Sequence, residues 1–345
     1  MVKAGVVPTS PGVMFMNMDK LYSFLENKTV NYLTHKKALK AYEKSKKKTI
    51  LTEIWSWLDA LIFAVVVVII LNQFLFQLFL IPSPSMVSTL NIGDRVIVSK
   101  VSYGIEAYPT GPKLFSDSRR VQRDDIITFY NPEYDSKGPF FDILSQIIYY
   151  STLSLVNIDR NEDGSIAERL YVKRAVGFGG DNVKFKDGNV LIKPAGYNNY
   201  ITEESYREAN ELSSGPHRSV DTTLYDGMHA WGRLYALQEN SINVVPQHLK
   251  NSYESVKDQY MFDRYEFENN RTLMNTLINP TDMNARSEHG HYRAGIYVPE
   301  NYVLPLGDNR DNSSDGRYFG PVKESTINGK VVGRFWPLGS VGIVK

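Results

Sequence analysis

Residues 169–193 read RLYVKRAVGFGGDNVKFKDGNVLIK, and the fold class turns on this stretch. In its second half Val183 and Phe185, then Val190 and Ile192, recur at every second position on either side of Asp187-Gly188. Alternation with a period of two marks strands with one buried face. Asp-Gly between two such runs predicts a two-residue hairpin whose central residues both take positive φ. The first half, from Arg169 to Gly177, reads as another strand, which puts Lys173 on the same face as Tyr171 and Ala175. An exposed strand lysine would be ordinary. Buried, its ammonium would be disfavoured by desolvation and its pKa lowered, giving a usable base near neutral pH.

Further strand signals lie outward from this stretch. Val96-Ile97-Val98 follows a Gly93-Asp94 turn, and Ile126-Ile127-Thr128-Phe129 follows Asp124-Asp125. The chain has 22 Tyr and 16 Phe among 345 residues, side chains that fit a pleated, half-buried surface, so a mainly β, antiparallel fold is expected. There is no Cys, which removes disulfides, thiolate zinc sites and Cys nucleophiles together. Nucleophilic chemistry must therefore rest on Ser, Thr, Lys or a carboxylate.

Leu58 to Leu80 is almost unbroken apolar sequence, with no polar residue from Ala60 to Leu71. About 20 such residues span a bilayer core as a helix. Asp59, Asn72, Gln73 and Gln77 fall toward its ends, and Trp55 and Trp57 suit an aromatic belt. Lys36, Lys37, Lys40, Lys44, Lys46, Lys47 and Lys48 precede the span. Residues 1–53 hold ten Lys against four acidic residues, so they carry +6 and the remainder −5. Basic residues beside a span stay cytoplasmic, so the reading is N-terminus in and bulk out; nucleic-acid binding would want the basic charge on the folded domain. A cleavable signal peptide would have a far shorter basic region and a small-x-small site, and a buried core helix would need neither the length nor the lysines. The expected organisation is a basic cytoplasmic segment 1–57, a transmembrane helix 58–80, a catalytic domain 81–196 and 299–345, and an insertion subdomain 197–298. That insertion is polar, rich in Asn and Tyr, and broken at Ser213-Ser214-Gly215-Pro216 and Asn279-Pro280. A shorter insertion near 133–168 carries Phe140, Phe141, Leu144, Ile147 and Ile148 at helical spacing and reads as a packing element ahead of the alternative, a helix resting on the lipid surface.

Three segments carry candidate chemistry. Ile81-Pro82-Ser83-Pro84-Ser85-Met86 follows the span directly and leads into Thr89-Leu90 and Gly93-Asp94. A serine hydroxyl is a weak nucleophile and needs a base within hydrogen-bond reach. Lys173 is a candidate for that base. The third segment, Gly307-Asp308-Asn309-Arg310-Asp311-Asn312-Ser313-Ser314-Asp315-Gly316-Arg317-Tyr318-Phe319-Gly320, is dense in turn formers and in charges able to pair internally. It lacks the Glu that an EF-hand Ca²⁺ loop requires at its end, and no metal is expected.

Together these segments resemble the boxes of bacterial type I signal peptidases. Ser83-Pro84-Ser85-Met86 with Thr89-Leu90 and Gly93-Asp94 is similar to that family's serine box, and Tyr171-Val172-Lys173-Arg174-Ala175-Val176-Gly177 with Gly180-Asp181 to its lysine box. Gly307 to Ser313, with Asp315 and Arg317, resembles its last box, and Val332 to Leu338 its closing strand. The resemblance implies a mainly β catalytic domain of signal-peptidase type, after one transmembrane helix, with a polar insertion. It implies Ser85 as nucleophile, Lys173 as base, and an oxyanion hole at the Ser85 N–H and the Ser83 hydroxyl. Ser313 would orient the Lys173 amine, and Asp308, Arg310, Asp315, Arg317 and Arg174 would brace the site as charge pairs. Substrates would be secretory preproteins, the other partner membrane lipid, with no cofactor, no metal and no nucleic acid. Three positions depart from the family pattern: Pro84 stands in place of a small residue, Ser88 in place of a proline, and Gly179 in place of a proline, expected to loosen the loop after Lys173.

Other readings fit less well. None of the six His lies in a matched box. Ser45 to Lys48 matches the Ser-x-x-Lys of penicillin-binding proteins only inside the lysine run. A tethered module that binds precursors without cutting them would not need both Ser85 and Lys173, and a self-cleaving repressor would carry a DNA-binding domain in place of the anchor.

Overall fold

The Asp187-Gly188 turn closes as predicted, with φ of 48° and 75° and Lys186 paired to Asn189 across it. The computed structural model describes residues 18–45, 50–108, 111–114, 120–152, 156–161, 164–165, 167–212, 215–259 and 263–344. In chain order its strands are β1 (Phe76–Leu80), β2 (Arg95–Ser99), β3 (Ile105–Glu106), β4 (Lys113–Leu114), β5 (Ile126–Tyr130), β6 (Leu170–Phe178) and β7 (Asn182–Lys186). They continue with β8 (Asn189–Lys193), β9 (Ile201–Thr202), β10 (Ile296–Tyr297), β11 (Tyr302–Leu306), β12 (Val322–Lys323), β13 (Ile327–Trp336) and β14 (Gly342–Ile343).

The main sheet runs β1-β2-β13-β5-β6-β11-β12 with β14 on β13, and every pairing is antiparallel. Both faces of its centre are covered. Ile126 and Val172 pack with Val96, Val98, Met86 and Leu90 on one side; Ile127, Phe129, Ala175 and Val303 pack with Ile327 on the other. That double burial is why Ile126, Ile127 and Phe129 of β5 do not alternate with exposed polar residues, and Thr128 between them is itself buried. A second sheet, β10-β7-β8-β9, packs Val183, Phe185, Val190 and Ile192 against Leu304 and Leu306 of β11, and β3 and β4 form a separate ribbon.

The helices are α1 (Met18–Ser45), α2 (Ile50–Phe74), α3 (Pro139–Ser151), α4 (Glu203–Ala209), α5 (Tyr225–Glu239), α6 (Gln247–Tyr253), α7 (Arg264–Ile278), α8 (Met283–Ala294) and the single turn α9 (Gly316–Phe319). Residues 1–64 and 65–345 are separate compact units. In the first, α1 carries the described part of the lysine run, while Lys46, Lys47 and Lys48 lie outside the described residues.

Three expectations need correction. The apolar helix runs Ile50–Phe74, with Glu53–Phe74 long and apolar enough to cross a membrane (mean hydropathy 2.6); the span does not reach Leu80. Phe76–Leu80 is instead the strand β1, paired residue for residue with β2. Composition alone does not separate the two, because an unbroken apolar run suits a membrane helix and an edge strand equally; the polar Asn72-Gln73 marks the change.

The expectation of mostly strands fails over 197–298, which is largely helical, α7 and α8 starting at Asp263 and Asp282 caps. This region packs on the rest of the domain, since Tyr265 of α7 joins the core of the second sheet and β10 pairs β7. The Asn279-Pro280 break falls between α7 and α8 as read, whereas Ser213 and Ser214 lie outside the described residues.

Finally, α3 has the predicted periodicity but turns its apolar stripe outward: Phe140 is 81% exposed, while Asp142 is fully buried.

Candidate active site

Ser85 lies in a short 3₁₀ turn, Pro84–Met86, directly after the main sheet's edge strand. Pro84 occupies the first helical position, where its fixed φ suits the turn and its missing N–H has no partner to lose. The proline therefore fits the backbone around Ser85 without strain. Ser83 precedes the turn in extended conformation, and its hydroxyl makes no capping bond. It lies instead 3.3 Å from Ser85 Oγ.

Lys173 sits mid-strand in β6 opposite Ile127 of β5, only 4% exposed. Its amine donates to Ser85 Oγ at 2.8 Å, joining two segments 88 positions apart in the chain. Burial lowers the Lys173 pKa to about 8, outweighing the opposing pull of the Asp315 carboxylate. Tyr171, two residues along the same strand face, sets its ring 5.2 Å from the amine. Ser83, Ser85 and Lys173 open on one cavity of about 180 Å³, walled by Phe79, Ile81, Met86, Leu170 and Val172.

The loop from Gly307 to Gly320 is fastened onto the serine turn. Asn309 N–H donates to the Ser85 carbonyl at 3.0 Å, and its side-chain amide to the Pro84 carbonyl at 3.2 Å. A Cβ on Gly307 would stand 2.6 Å from the Ser85 carbonyl oxygen and 2.1 Å from Ser313 Oγ, so this close approach admits only glycine. Beneath it, Arg174 grips Asp308 through Nε at 2.8 Å and Nη2 at 2.6 Å, both residues with no solvent exposure. Burial would raise the Asp308 carboxyl, but the Arg174 hydrogen bonds and charge prevail and hold it below the usual carboxylate range. Arg317 pairs Asp315 at 2.9 Å, and Asp315 also accepts the Gly307 N–H at 2.9 Å.

Arg310 forms its pair with Glu203, accepted by both carboxylate oxygens at 2.6 and 2.7 Å. Glu203 belongs to α4 of the insertion and had no signal in the sequence. Two further residues brace the site with no sign of this role in their local sequence: Thr89, whose hydroxyl donates to Asp308 Oδ2 at 2.5 Å, and Asp124, which pairs Arg174 at 2.9 Å and also Arg207.

Ser313 departs from its expected part, because among the described residues its buried hydroxyl hydrogen-bonds neither Lys173 nor any other group. It is turned against Gly307 instead, and the Lys173 amine is held by Ser85 alone among the described hydrogen bonds. Nor is the loop after Lys173 loosened by Gly179, since the Asp181 carboxylate takes the N–H groups of Phe178 and Ala195 and pairs Arg123.

A model of the signal peptidase family, peptidase S26, matches residues 54–336. The chain belongs to that family. It is therefore a serine peptidase, a hydrolase of peptide bonds, with an antiparallel sheet as its framework. Signal peptidase I of Buchnera aphidicola subsp. Acyrthosiphon pisum (strain APS) is 26% identical over 89% of this chain and 83% of its own. That of Haemophilus influenzae (strain ATCC 51907 / DSM 11121 / KW20 / Rd) is 27% identical over 85% and 72%. The solved signal peptidase I of Enterococcus faecalis V583 is 19% identical over 62% of this chain and 97% of that one, at a TM-score of 0.24.

Elsewhere in this peptidase, Asp187, His229 and Glu266 bring three ligand-type atoms within 4.8 Å of one another. His229 Nε2 stands 3.0 Å from Asp187 Oδ1 and 3.7 Å from Glu266 Oε2, and Glu266, then Asp187, raise its pKa. The trio ties α5 and α7 to the β7–β8 turn and shares no residue with the Ser85 cavity.

Proposed function

We propose that this signal peptidase is a type I enzyme, membrane-bound through α2, that removes N-terminal signal peptides from exported preproteins with a Ser85–Lys173 dyad. The observation that carries this is the 2.8 Å contact between a buried lysine amine and a serine hydroxyl on the wall of a small cavity.

In the reacting form the Lys173 amine is neutral and accepts the Ser85 proton as Oγ bonds to the scissile carbonyl carbon. Charge on the resulting oxyanion is met by the Ser85 N–H and the Ser83 hydroxyl. Collapse breaks the C–N bond, the Lys173 ammonium protonates the departing amine, and the signal peptide stays on Ser85 as an ester. Water, deprotonated by Lys173, then cleaves the ester and the proton returns to Ser85. A cavity of about 180 Å³ favours a small side chain such as Ala before the cut. The substrate segment would lie extended, adding backbone hydrogen bonds to a neighbouring strand. Arg174, Asp308, Asp315, Arg317 and Arg310 brace this arrangement through the pairs described, while Ser313 makes no hydrogen bond to the amine. The lysine-rich N-terminus would face the cytoplasm and the catalytic domain the far side of a bacterial cytoplasmic membrane.

The pH dependence tests the lysine as base. Because only neutral amine works, kcat/KM is expected to fall about tenfold per pH unit below pH 8 and to level off above it. A profile flat well into acid would exclude Lys173 as the base. For the oxyanion role, Ser83→Ala is expected to lower kcat about 10²–10³-fold with KM little changed, and a normal kcat would remove Ser83 from the mechanism.

A further inference from the structure

We propose that the outward face of α3 lies in the headgroup–acyl boundary of the bilayer, a second membrane contact beside the point where α2 ends. The proposal rests on the reading of α2 as a membrane span.

The helix α3 is inside out for a water-facing element. Its one charged residue, Asp142, is fully buried, pairs Arg169 at 3.1 Å and accepts a hydrogen bond from Ser136 at 3.2 Å. Ser145 also points inward, 5% exposed, and accepts from Arg169 at 3.0 Å. On the opposite side Phe140, Ile143, Leu144 and Ile147 are 81%, 38%, 39% and 43% exposed. These are the i, i+3, i+4 and i+7 positions that a soluble domain would turn toward its core, and an exposed apolar patch of this kind marks an interaction surface.

What covers the patch follows from where α3 is fastened. Gln146 donates to Gln73 Oε1 at 3.4 Å, and Gln73 lies in the last turn of α2, itself buried and donating to the Glu106 carbonyl at 3.0 Å. The helix is thus held at the end of the apolar span. Just after that end, β1 exposes Phe76, Leu78 and Leu80 on one face, and a cavity of about 550 Å³ lies between β1 and α3. Two apolar surfaces therefore flank the exit of one span. The α3 face carries no charge, so acyl-chain burial and not headgroup charge would hold it, as for helices that lie in the membrane plane.

The chain has no Cys, so single reporters are simple to place. Leu144→Cys and Ile147→Cys, each in the full chain carrying Ser85→Ala, are labelled with an environment-sensitive fluorophore and reconstituted in vesicles of phosphatidylethanolamine and phosphatidylglycerol. Using the inactivated chain keeps this readout independent of the dyad. The expected result is blue-shifted emission, quenched several-fold by lipids with a nitroxide in the upper acyl chain, while a label at exposed Asn198 stays water-like. Water-like spectra at both α3 positions would overturn the proposal. So would shielding that scales with protein density, which means a second copy, or shielding that appears only with added preprotein. In the active chain, Leu144→Ser with Ile147→Ser is expected to raise KM several-fold for a membrane-tethered preprotein and to leave cleavage of a short soluble peptide unchanged. An equal loss on both substrates would count against the lipid contact.

Discussion

Replacing Ser85 with Ala is expected to lower the kcat for preprotein cleavage by about 10⁴–10⁶-fold, leaving only what binding and oxyanion donors supply. Lys173→Met is expected to cost nearly as much, because a serine hydroxyl without a base 2.8 Å away attacks poorly at neutral pH. Methionine matches the lysine stem and leaves no buried charge, so the sheet should fold as before. Lys173→Arg keeps a cation that cannot lose its proton and should be equally inactive. The double variant Ser85→Ala/Lys173→Met is expected to be no slower than either single one, since two residues that act as a unit are not additive. Turnover of a model preprotein, with circular dichroism to monitor folding, measures all four. Near-normal cleavage by either single variant would eliminate the dyad.

The second large effect is on stability. Arg174 and Asp308 are paired where neither has solvent exposure, so Arg174→Met strands a carboxylate in the protein interior. Breaking such a pair costs about 3–5 kcal/mol, a large part of the roughly 5–15 kcal/mol that holds a folded domain. A fall in Tm of roughly 10 °C is expected. Removing both charges with Arg174→Met/Asp308→Asn should recover part of that loss, because no buried charge is left alone. Because Asp308 also accepts from Thr89, and the Ser85 carbonyl takes the Asn309 N–H next in sequence, kcat should fall with Tm in the single variant. Unchanged thermal denaturation would show that the pair contributes nothing to stability.

The parts of this fold that were legible in the sequence are those governed by neighbouring residues. Asp187-Gly188 dictates its hairpin through φ alone, and the runs at Val96 and Ile126 became β2 and β5 as read. Burial of Lys173 and its approach to Ser85 were expected only through the family resemblance. The structure supplies the cause, which is that β6 is sandwiched between β5 and β11 with both faces covered. Partners distant in sequence were illegible: nothing near Arg310 points to Glu203, and nothing near Arg174 points to Asp124. The outward turn of α3 was hidden as well, because helical spacing reports a stripe but not which side faces in. There the decisive fact is one buried acid, Asp142, whose partner Arg169 comes from beyond the helix.

The position of β13 bears on how the dyad is held together. This strand lies between β2 and β5 and pairs with both. Without it β2 and β5 share no strand pairing, and the sheet divides into β1-β2 and β5-β6-β11-β12. Serine and lysine belong to different pieces, Ser85 following β1 and Lys173 on β6. Within the sheet β13 is thus the link between them, so a change that unseats this strand would reach the dyad without touching either residue.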